Sequence, residues 1–378
     1  MTIPYGKRKL INGNYAASLA AAMACLKGGV IPGFPITPQT EIIEQLQKLC
    51  SVGEIKAEFI PVESEHSAML ACIGASPYAR TFTATSSHGL QYMHEALYSA
   101  SNLRLPIVMV NVSRGMGLPY HLWCDHNDII AQRDQGWAIF FAETNQEILD
   151  TVLMAFYLAE KSKIPIIVNT DGFLSSHTAE PVIIPTQEQV DAFLPPYEPE
   201  KLSTDSPKTF YPVLLKSSLF SDHRKEFSEA MESLKSEITF ANEKFEKIFG
   251  RKYGNGLLEW HGSKDTKIVI ISYASHFGII RKTVNELADN SVSALKIKSL
   301  RPFPAEDIAK NLWHAEKIIV IDRNISPGMG GVFSQEIKSA LQKYGLNTPV
   351  FEKIAGLGGE NITVEMMKEV LTETENPF

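Results

Sequence analysis

Through the first 180 residues, short β-branched runs alternate with stretches of helical periodicity, the pattern of a parallel sheet wrapped by helices. Strands are expected at 30–33, 59–62, 80–85, 106–112, 138–141 and 164–170. Helices are expected at 14–26, an Ala-rich stretch stopped by Gly28 and Gly29, and at 91–103 and 146–161. The fold class is α/β, a doubly wound parallel-sheet domain. In such sheets ligands bind beyond the carboxyl ends of the strands. The loops after Gly33, Val62, Thr85 and Val112 are therefore where chemistry is sought.

At 378 residues the chain exceeds what one hydrophobic core comfortably organises, so a second domain is expected. Residues 181–211 are rich in proline and polar residues, Pro195, Pro196 and Pro199 among them, and read as a linker. Beyond them Phe227, Met231, Leu234, Ile238, Ala241, Phe245 and Ile248 recur at steps of four and three, the apolar stripe of one long helix. That stripe covers either its own domain or a neighbouring subunit. Strands at 267–273, 293–297, 317–321 and 349–354, with helices near 278–288, 333–341 and 363–371, form a smaller α/β domain. The expected division is 1–190, a linker with the long helix over 191–255, and 256–378.

Hydrophobic content of 44% with 21% charged residues excludes a disordered chain. A net charge of -7 offers nothing to nucleic acid or an anionic membrane surface. Lys7, Arg8 and Lys9 have no apolar run behind them, and no segment approaches the roughly 20 apolar residues that span a bilayer. A cytoplasmic location is the expectation. Cys25, Cys50, Cys72 and Cys124 form no Cys-x-x-Cys pair, so they read as buried thiols, and any redox metal centre must sit on another chain.

The loop after Gly33 is Phe34-Pro35-Ile36-Thr37-Pro38. Thr37 can cap the next helix with Pro38 in its first turn, or present its hydroxyl to a carboxylate ligand. The next loop places Glu63 and Glu65 at the start of an apolar helix, where acids complement the helix dipole. Glu65 also faces small and apolar neighbours, surroundings that raise a carboxyl pKa and suit proton exchange. Thr83 to Gly89 is a run of small hydroxyl residues that either satisfies orphan N–H groups or holds a polar ligand. Arg114 ends a very apolar strand and needs an anion: a substrate carboxylate, Asp125 or Asp128.

Taken in order, Phe-Pro-Ile-Thr-Pro, Glu63-Ser64-Glu65-His66-Ser67-Ala68, Thr83-Ala84-Thr85-Ser86-Ser87-His88-Gly89 and Ser113-Arg114 resemble the alpha subunit of the pyruvate:ferredoxin oxidoreductase family. The likeness continues through Asp125 to Asp128, Asp134 to Trp137, Asp171 to Phe173 with Ser176 and His177, Asp322 to Ser326, and Gly356 to Gly359.

The resemblance implies that the first domain binds the aminopyrimidine of thiamine diphosphate and that the second resembles the transketolase C-terminal domain. It implies a beta subunit with the diphosphate and Mg²⁺ site, and ferredoxin-like gamma and delta subunits with [4Fe-4S] clusters. The sequence agrees by omission, having no Gly-Asp-Gly followed by a metal-binding asparagine and no cluster cysteines, so no metal is expected on this chain. The implied reaction is oxidative decarboxylation of pyruvate with coenzyme A to acetyl-CoA and CO₂, with electrons passing to ferredoxin.

Carried over by position, Pro35, Ile36, Glu65, Thr85, Ser87 and His88 would bind the cofactor, while Thr37, Arg114, Tyr120 and His121 would bind the substrate. Glu65, Arg114 and Thr37 are the catalytic candidates. Tyr120 and His121 depart from the family pattern, which leaves branched-chain, aromatic and dicarboxylic 2-oxoacids as alternatives. A dicarboxylate would need a second arginine, and none stands beside Thr37.

Two other readings stand beside this one. Gly328-Met329-Gly330-Gly331 before a helix suggests a nucleotide loop, but its spacing is wrong for a dinucleotide fingerprint. The beta chain of an NAD-linked 2-oxoacid dehydrogenase complex shares the domain order, and the Phe-Pro-Ile-Thr-Pro loop argues against it.

Overall fold

The computed structural model describes residues 2–198, 216–287 and 291–372. The chain runs β1 (Arg8–Ile11), α1 (Gly13–Ala24), β2 (Val30–Gly33), α2 (Thr40–Ser51), β3 (Glu58–Pro61), α3 (Glu65–Ala75), β4 (Thr81–Thr85), α4 (Ser87–Tyr92), α5 (His94–Asn102) and β5 (Ile107–Ser113). It continues through α6 (Asn127–Ile130), β6 (Ala138–Phe141), α7 (Asn145–Ser162), β7 (Ile166–Asp171), β8 (Glu180–Ile183), α8 (Gln187–Phe193), α9 (Ser217–Phe249) and β9 (Leu258–His261). The last part is β10 (Ile268–Ser272), α10 (Phe277–Leu287), β11 (Val292–Ile297), β12 (Ser299–Arg301), α11 (Ala305–Leu312), β13 (Lys317–Asp322), α12 (Val332–Lys343), β14 (Val350–Ile354) and α13 (Val364–Thr372).

The first sheet has the order β12-β6-β7-β5-β4-β2-β3, parallel except for β12, which joins β6 antiparallel. Its central strands β4, β5 and β7 are buried at every position, which is why they read as unbroken apolar runs. Alanines let α1 lie close to its neighbours, with Ala16, Ala17, Ala20, Ala21, Ala22 and Ala24 all buried. The second sheet, β14-β13-β10-β11-β9, is parallel except for β9. No helix among the described residues is long and apolar enough to cross a membrane.

Several local expectations need correction. Helix 14–26 ends at Ala24 with Cys25 as its cap, ahead of the two glycines. Helix 91–103 is two helices broken at Met93, the first starting at Ser87. Part of the expected 181–211 linker is ordered: β8 pairs with β1, and α8 carries a capping box between Thr186 and Gln189. The rest of that linker, from 199 on, lies outside the described residues, as does the end of helix 278–288.

The stripe of α9 faces its own chain. Phe227, Leu234, Ile238, Ala241 and Phe245 are buried, Phe227 lies against Gly136, and Phe245 and Phe249 stack beside Phe193. Buried ion pairs tie the second sheet and its approach to the first. Arg251 donates to Asp150 at 2.6 and 2.8 Å, and Tyr253 OH donates to the same carboxylate at 2.6 Å. Lys296 reaches Glu143 at 2.8 Å and Glu147 at 3.3 Å, Lys298 pairs with Glu147, and Arg281 pairs with Glu143 at 2.6 Å. Arg323, at the end of β13, donates to Asp171 at the end of β7 at 2.8 Å.

Candidate active site

The loops after β2, β4 and β5 converge with the first turn of α3 at the carboxyl edge of the first sheet. After β2 the chain turns sharply through a cis Thr37-Pro38 bond. The buried Gln39 side chain organises the turn: its amide donates to the carbonyls of Phe34 and Ala84, while Asn14 donates to the Pro38 carbonyl at 2.8 Å. Helix α2 consequently starts only at Thr40, and its N-cap Gln39 makes no side-chain cap bond. Thr37 is therefore not a helix cap. It stands exposed, with its carbonyl accepting from Arg114 Nη1. Pro35 is exposed and Ile36 half-buried on the same loop.

Ser64 caps α3 by accepting from Ser67 N–H, which fixes Glu65 as the first helical residue. Glu63, one residue before the cap, is exposed, and the Ser67 hydroxyl holds its carboxyl below the ordinary range. Glu65 turns inward and is 8% exposed. Its carboxylate lies over Gly89, and among the described residues it takes no hydrogen bond or ion pair. Thr85 Oγ1 on the same side of Gly89 is buried without a hydrogen-bond partner among the described residues, as is Ser86 Oγ.

Ser87 has a left-handed backbone with φ of 45°. Asp128 holds it there, accepting from Ser87 N–H at 3.1 Å. The same carboxylate accepts from Asn111 Nδ2 at 3.1 Å and Ser113 Oγ at 2.7 Å; Asn111 Nδ2 also donates to Asn169 Oδ1 at 2.8 Å, and Ser113 Oγ lies 2.8 Å from the same oxygen. Burial raises the Asp128 carboxyl pKa, against the pull of these donors. Asp128, named from sequence as a partner for Arg114, instead holds Ser87, while Asn111 and Asn169 were not singled out. The available signal was polar residues near the carboxyl ends of two buried central strands.

Arg114 is 9% exposed, yet neither Asp125 nor Asp128 pairs with it, so the intramolecular partners expected from sequence are not formed among the described residues. Burial lowers its pKa, while the charges of Asp128, Tyr120 and Glu65 work in the opposite direction. Its Nε has no hydrogen-bond partner among the described residues. His88 Nε2 accepts from Gly117 N–H at 3.1 Å, which puts the ring proton on Nδ1 in the neutral imidazole. That N–H then faces Ser87 Oγ at 3.3 Å, so the nearby Arg114 Nη2 finds no acceptor on the ring. A buried guanidinium without a counter-anion is a receptor for one.

The structure thus gathers Thr37, Glu65, Thr85, Ser87, His88 and Arg114. Tyr120, 71% exposed, reaches the cluster through its ring contact with His88. His121 does not join them: its side chain sits between Gly115 and Gly358, seating the 115–123 loop on the second sheet's side of the molecule.

Two other clusters resemble ligand sites. Cys124, His126 and Asp171 have metal-ligand spacing, but the Arg323 guanidinium is bonded to Asp171 and leaves a cation facing a cation. At Gly328 to Gly331, the N–H groups of Phe333 and Ser334 that would cradle a phosphate already donate to Asp322. Gly331 allows that carboxylate to approach the backbone, and Gly330 does the same for Glu352.

The unpaired groups fit a polar aromatic cofactor and a small anionic substrate: a carboxylate and a hydroxyl without partners on one side, and an open guanidinium on the other. Residues 21–243 match the family "pyruvate flavodoxin/ferredoxin oxidoreductase, thiamine diP-bdg", and residues 266–367 match "pyruvate:ferredoxin oxidoreductase core domain II". Pyruvate synthase subunit PorA of Methanothermobacter thermautotrophicus is 42% identical over 98% of this chain and 96% of its own length. Ketoisovalerate oxidoreductase subunit VorA of Pyrococcus horikoshii is 41% identical over 96% of this chain and 92% of its own. The structure of 2-oxoglutarate:ferredoxin oxidoreductase from Magnetococcus marinus, solved with 2-oxoglutarate, coenzyme A and succinyl-CoA, shares the fold with a TM-score of 0.74 at 19% identity. That match covers 98% of this chain and 66% of the other. With thiamine diphosphate-binding and core-domain segments in this order, and alpha-type relatives matched nearly end to end, the chain belongs to the pyruvate:ferredoxin oxidoreductase family as an alpha subunit.

Proposed function

We propose that this alpha subunit contributes the pyrimidine-binding and substrate-binding half of a thiamine diphosphate site that oxidises pyruvate with coenzyme A and passes electrons to ferredoxin. The observation that carries the reading is the pair of nearly buried charges at the carboxyl edge of the first sheet, Glu65 and Arg114, neither with an ionic partner among the described residues.

Glu65 holds a ring nitrogen of the aminopyrimidine and moves a proton there, with Thr85, Ser87, His88, Pro35 and Ile36 lining the ring's seat. Thiamine diphosphate, when bound, supplies the electron sink for decarboxylation. Arg114 binds the 2-oxoacid carboxylate through charge-assisted hydrogen bonds, and Thr37 adds its hydroxyl. Tyr120 stands on the substrate side of Arg114 beside His88, while His121 shapes the site by seating its loop. A beta subunit supplies the diphosphate and Mg²⁺ site. Ferredoxin-like gamma and delta subunits carry the [4Fe-4S] clusters, and the assembly is cytoplasmic.

Relatives named for ketoisovalerate are nearly as similar as those named for pyruvate, so the branched-chain 2-oxoacid is the second reading. Purification with native partners and assay on a 2-oxoacid panel with coenzyme A and viologen tests both. Highest kcat/KM on pyruvate is expected, and a preference for 2-oxoisovalerate moves the assignment to the second. Activity with NAD and lipoamide but none with viologen or ferredoxin rejects the reading.

A further inference from the structure

We infer that Gly89 is a positioning residue: the bare Cα of this helical glycine sets the depth at which the Glu65 carboxylate rests in the site.

Gly89 is the third residue of α4 and is buried. Its φ is not in the left-handed region, so the backbone does not require glycine. Glycine is also a poorer helix former than alanine. The reason for it must be space. A Cβ built there would stand 2.6 Å from Glu65 Oε1, 2.7 Å from Glu65 Cγ and 2.6 Å from Thr85 Oγ1. Thr85 Oγ1 has no hydrogen-bond partner among the described residues, so a turn about its Cα–Cβ bond moves the hydroxyl aside. The Glu65 carboxylate is the far end of a flexible side chain and takes no hydrogen bond from the described residues, so it gives way as well. An added methyl therefore displaces the carboxylate and leaves the fold in place. Gly74 in the neighbouring α3 provides the contrast. It is helical, exposed and has nothing within 4 Å of a built Cβ, so alanine there moves nothing.

This inference rests on the role given to Glu65, and the test separates the two. Gly89→Ala, Gly74→Ala and Glu65→Gln are made in the complex assembled with its partner subunits. Melting midpoint, thiamine diphosphate affinity and exchange of the cofactor's C2 proton are then measured. Gly89→Ala is expected to keep its melting midpoint, bind the cofactor about tenfold more weakly and exchange about a hundredfold more slowly. Gly74→Ala should match wild type in all three.

If Glu65→Gln abolishes exchange while Gly89→Ala stays within about twofold of wild type in affinity and exchange, the inference about Gly89 is wrong. If Glu65→Gln itself exchanges normally, the role of Glu65 falls first. Should Gly89→Ala melt well below wild type, Glu65→Ala is added to it, because truncation at Cβ removes both the Oε1 and the Cγ that the methyl meets. Recovery of the melting midpoint supports the steric account, and no recovery overturns it.

Discussion

Two regions of this chain bury charge, and they do so in opposite ways. Between the two sheets four buried carboxylates each have a cation within reach: Asp150 has Arg251, Asp171 has Arg323, Glu143 has Lys296 and Arg281, and Glu147 has Lys296 and Lys298. At the carboxyl edge of the first sheet, Arg114 and Glu65 are nearly as buried and have no ionic partner among the described residues. A seam that only holds two layers together has no reason to leave a charge unsatisfied, since each such charge is strongly destabilising. A site that awaits ligands must leave some open. Buried charge in this fold is therefore a guide to function when read by its partners rather than by its depth.

The contrast can be broken most directly at Arg323. Arg323→Gln leaves Asp171 with His126 and the N–H and hydroxyl of Ser275 but without its guanidinium, and a loss of about 3–5 kcal/mol of unfolding free energy is expected in denaturant titration. A loss below about 1 kcal/mol would show that the seam is as slack as the site.

Asp322 sharpens the contrast, because its partners are hydrogen-bond donors and not a cation. Burial pushes its carboxyl up to about 7, against the pull of Ser334 N–H, Asn324 and Phe333 N–H. The native chain then holds this proton where the unfolded chain has released it. The stability it contributes is full below about pH 4 and is lost as pH rises through about 7, with a limiting slope of about 1.4 kcal/mol per pH unit. Stability curves of wild type and Asp322→Asn between about pH 4.5 and 6.5 should differ in slope by that amount and run parallel above about pH 8, and curves parallel throughout would contradict the assignment.

The smallest expected change in stability is at the site. Arg114→Gln should alter unfolding free energy by no more than about 1 kcal/mol while raising the apparent KM for every 2-oxoacid at least about tenfold. An unchanged KM would remove Arg114 from carboxylate binding, and a large loss of stability would place it among the seam residues.

The main strands were legible because β4, β5 and β7 are covered on both faces, which forces uninterrupted apolar runs. Strands β1, β8, β9 and β12 were missed. Each is three or four residues long, and the Arg8–Ile11 strand is exposed at three of its four positions, so no apolar run marks it. Thr37 misled as a helix cap because Gln39, two residues on, supplies the contacts that shape the turn. The nearness of Thr37, Glu65, His88 and Arg114 could be expected, since the topology brings their loops to one edge. What Asp128 and Gly89 do could not be read from sequence, because it depends on the neighbour each touches across the fold: Ser87 for one and Glu65 for the other.

The short strand β12 has a consequence for how the protein is made. Ser299 and Arg301 pair with Phe140 and Ile139, so a segment from the second family match closes the edge of the sheet built by the first. During synthesis the first six strands of that sheet leave the ribosome long before their seventh arrives, and β6 waits with an unpaired edge. Completion of the first layer is thereby tied to emergence of the second, and a chain ended between the two matches would carry an open edge ready to pair with another copy.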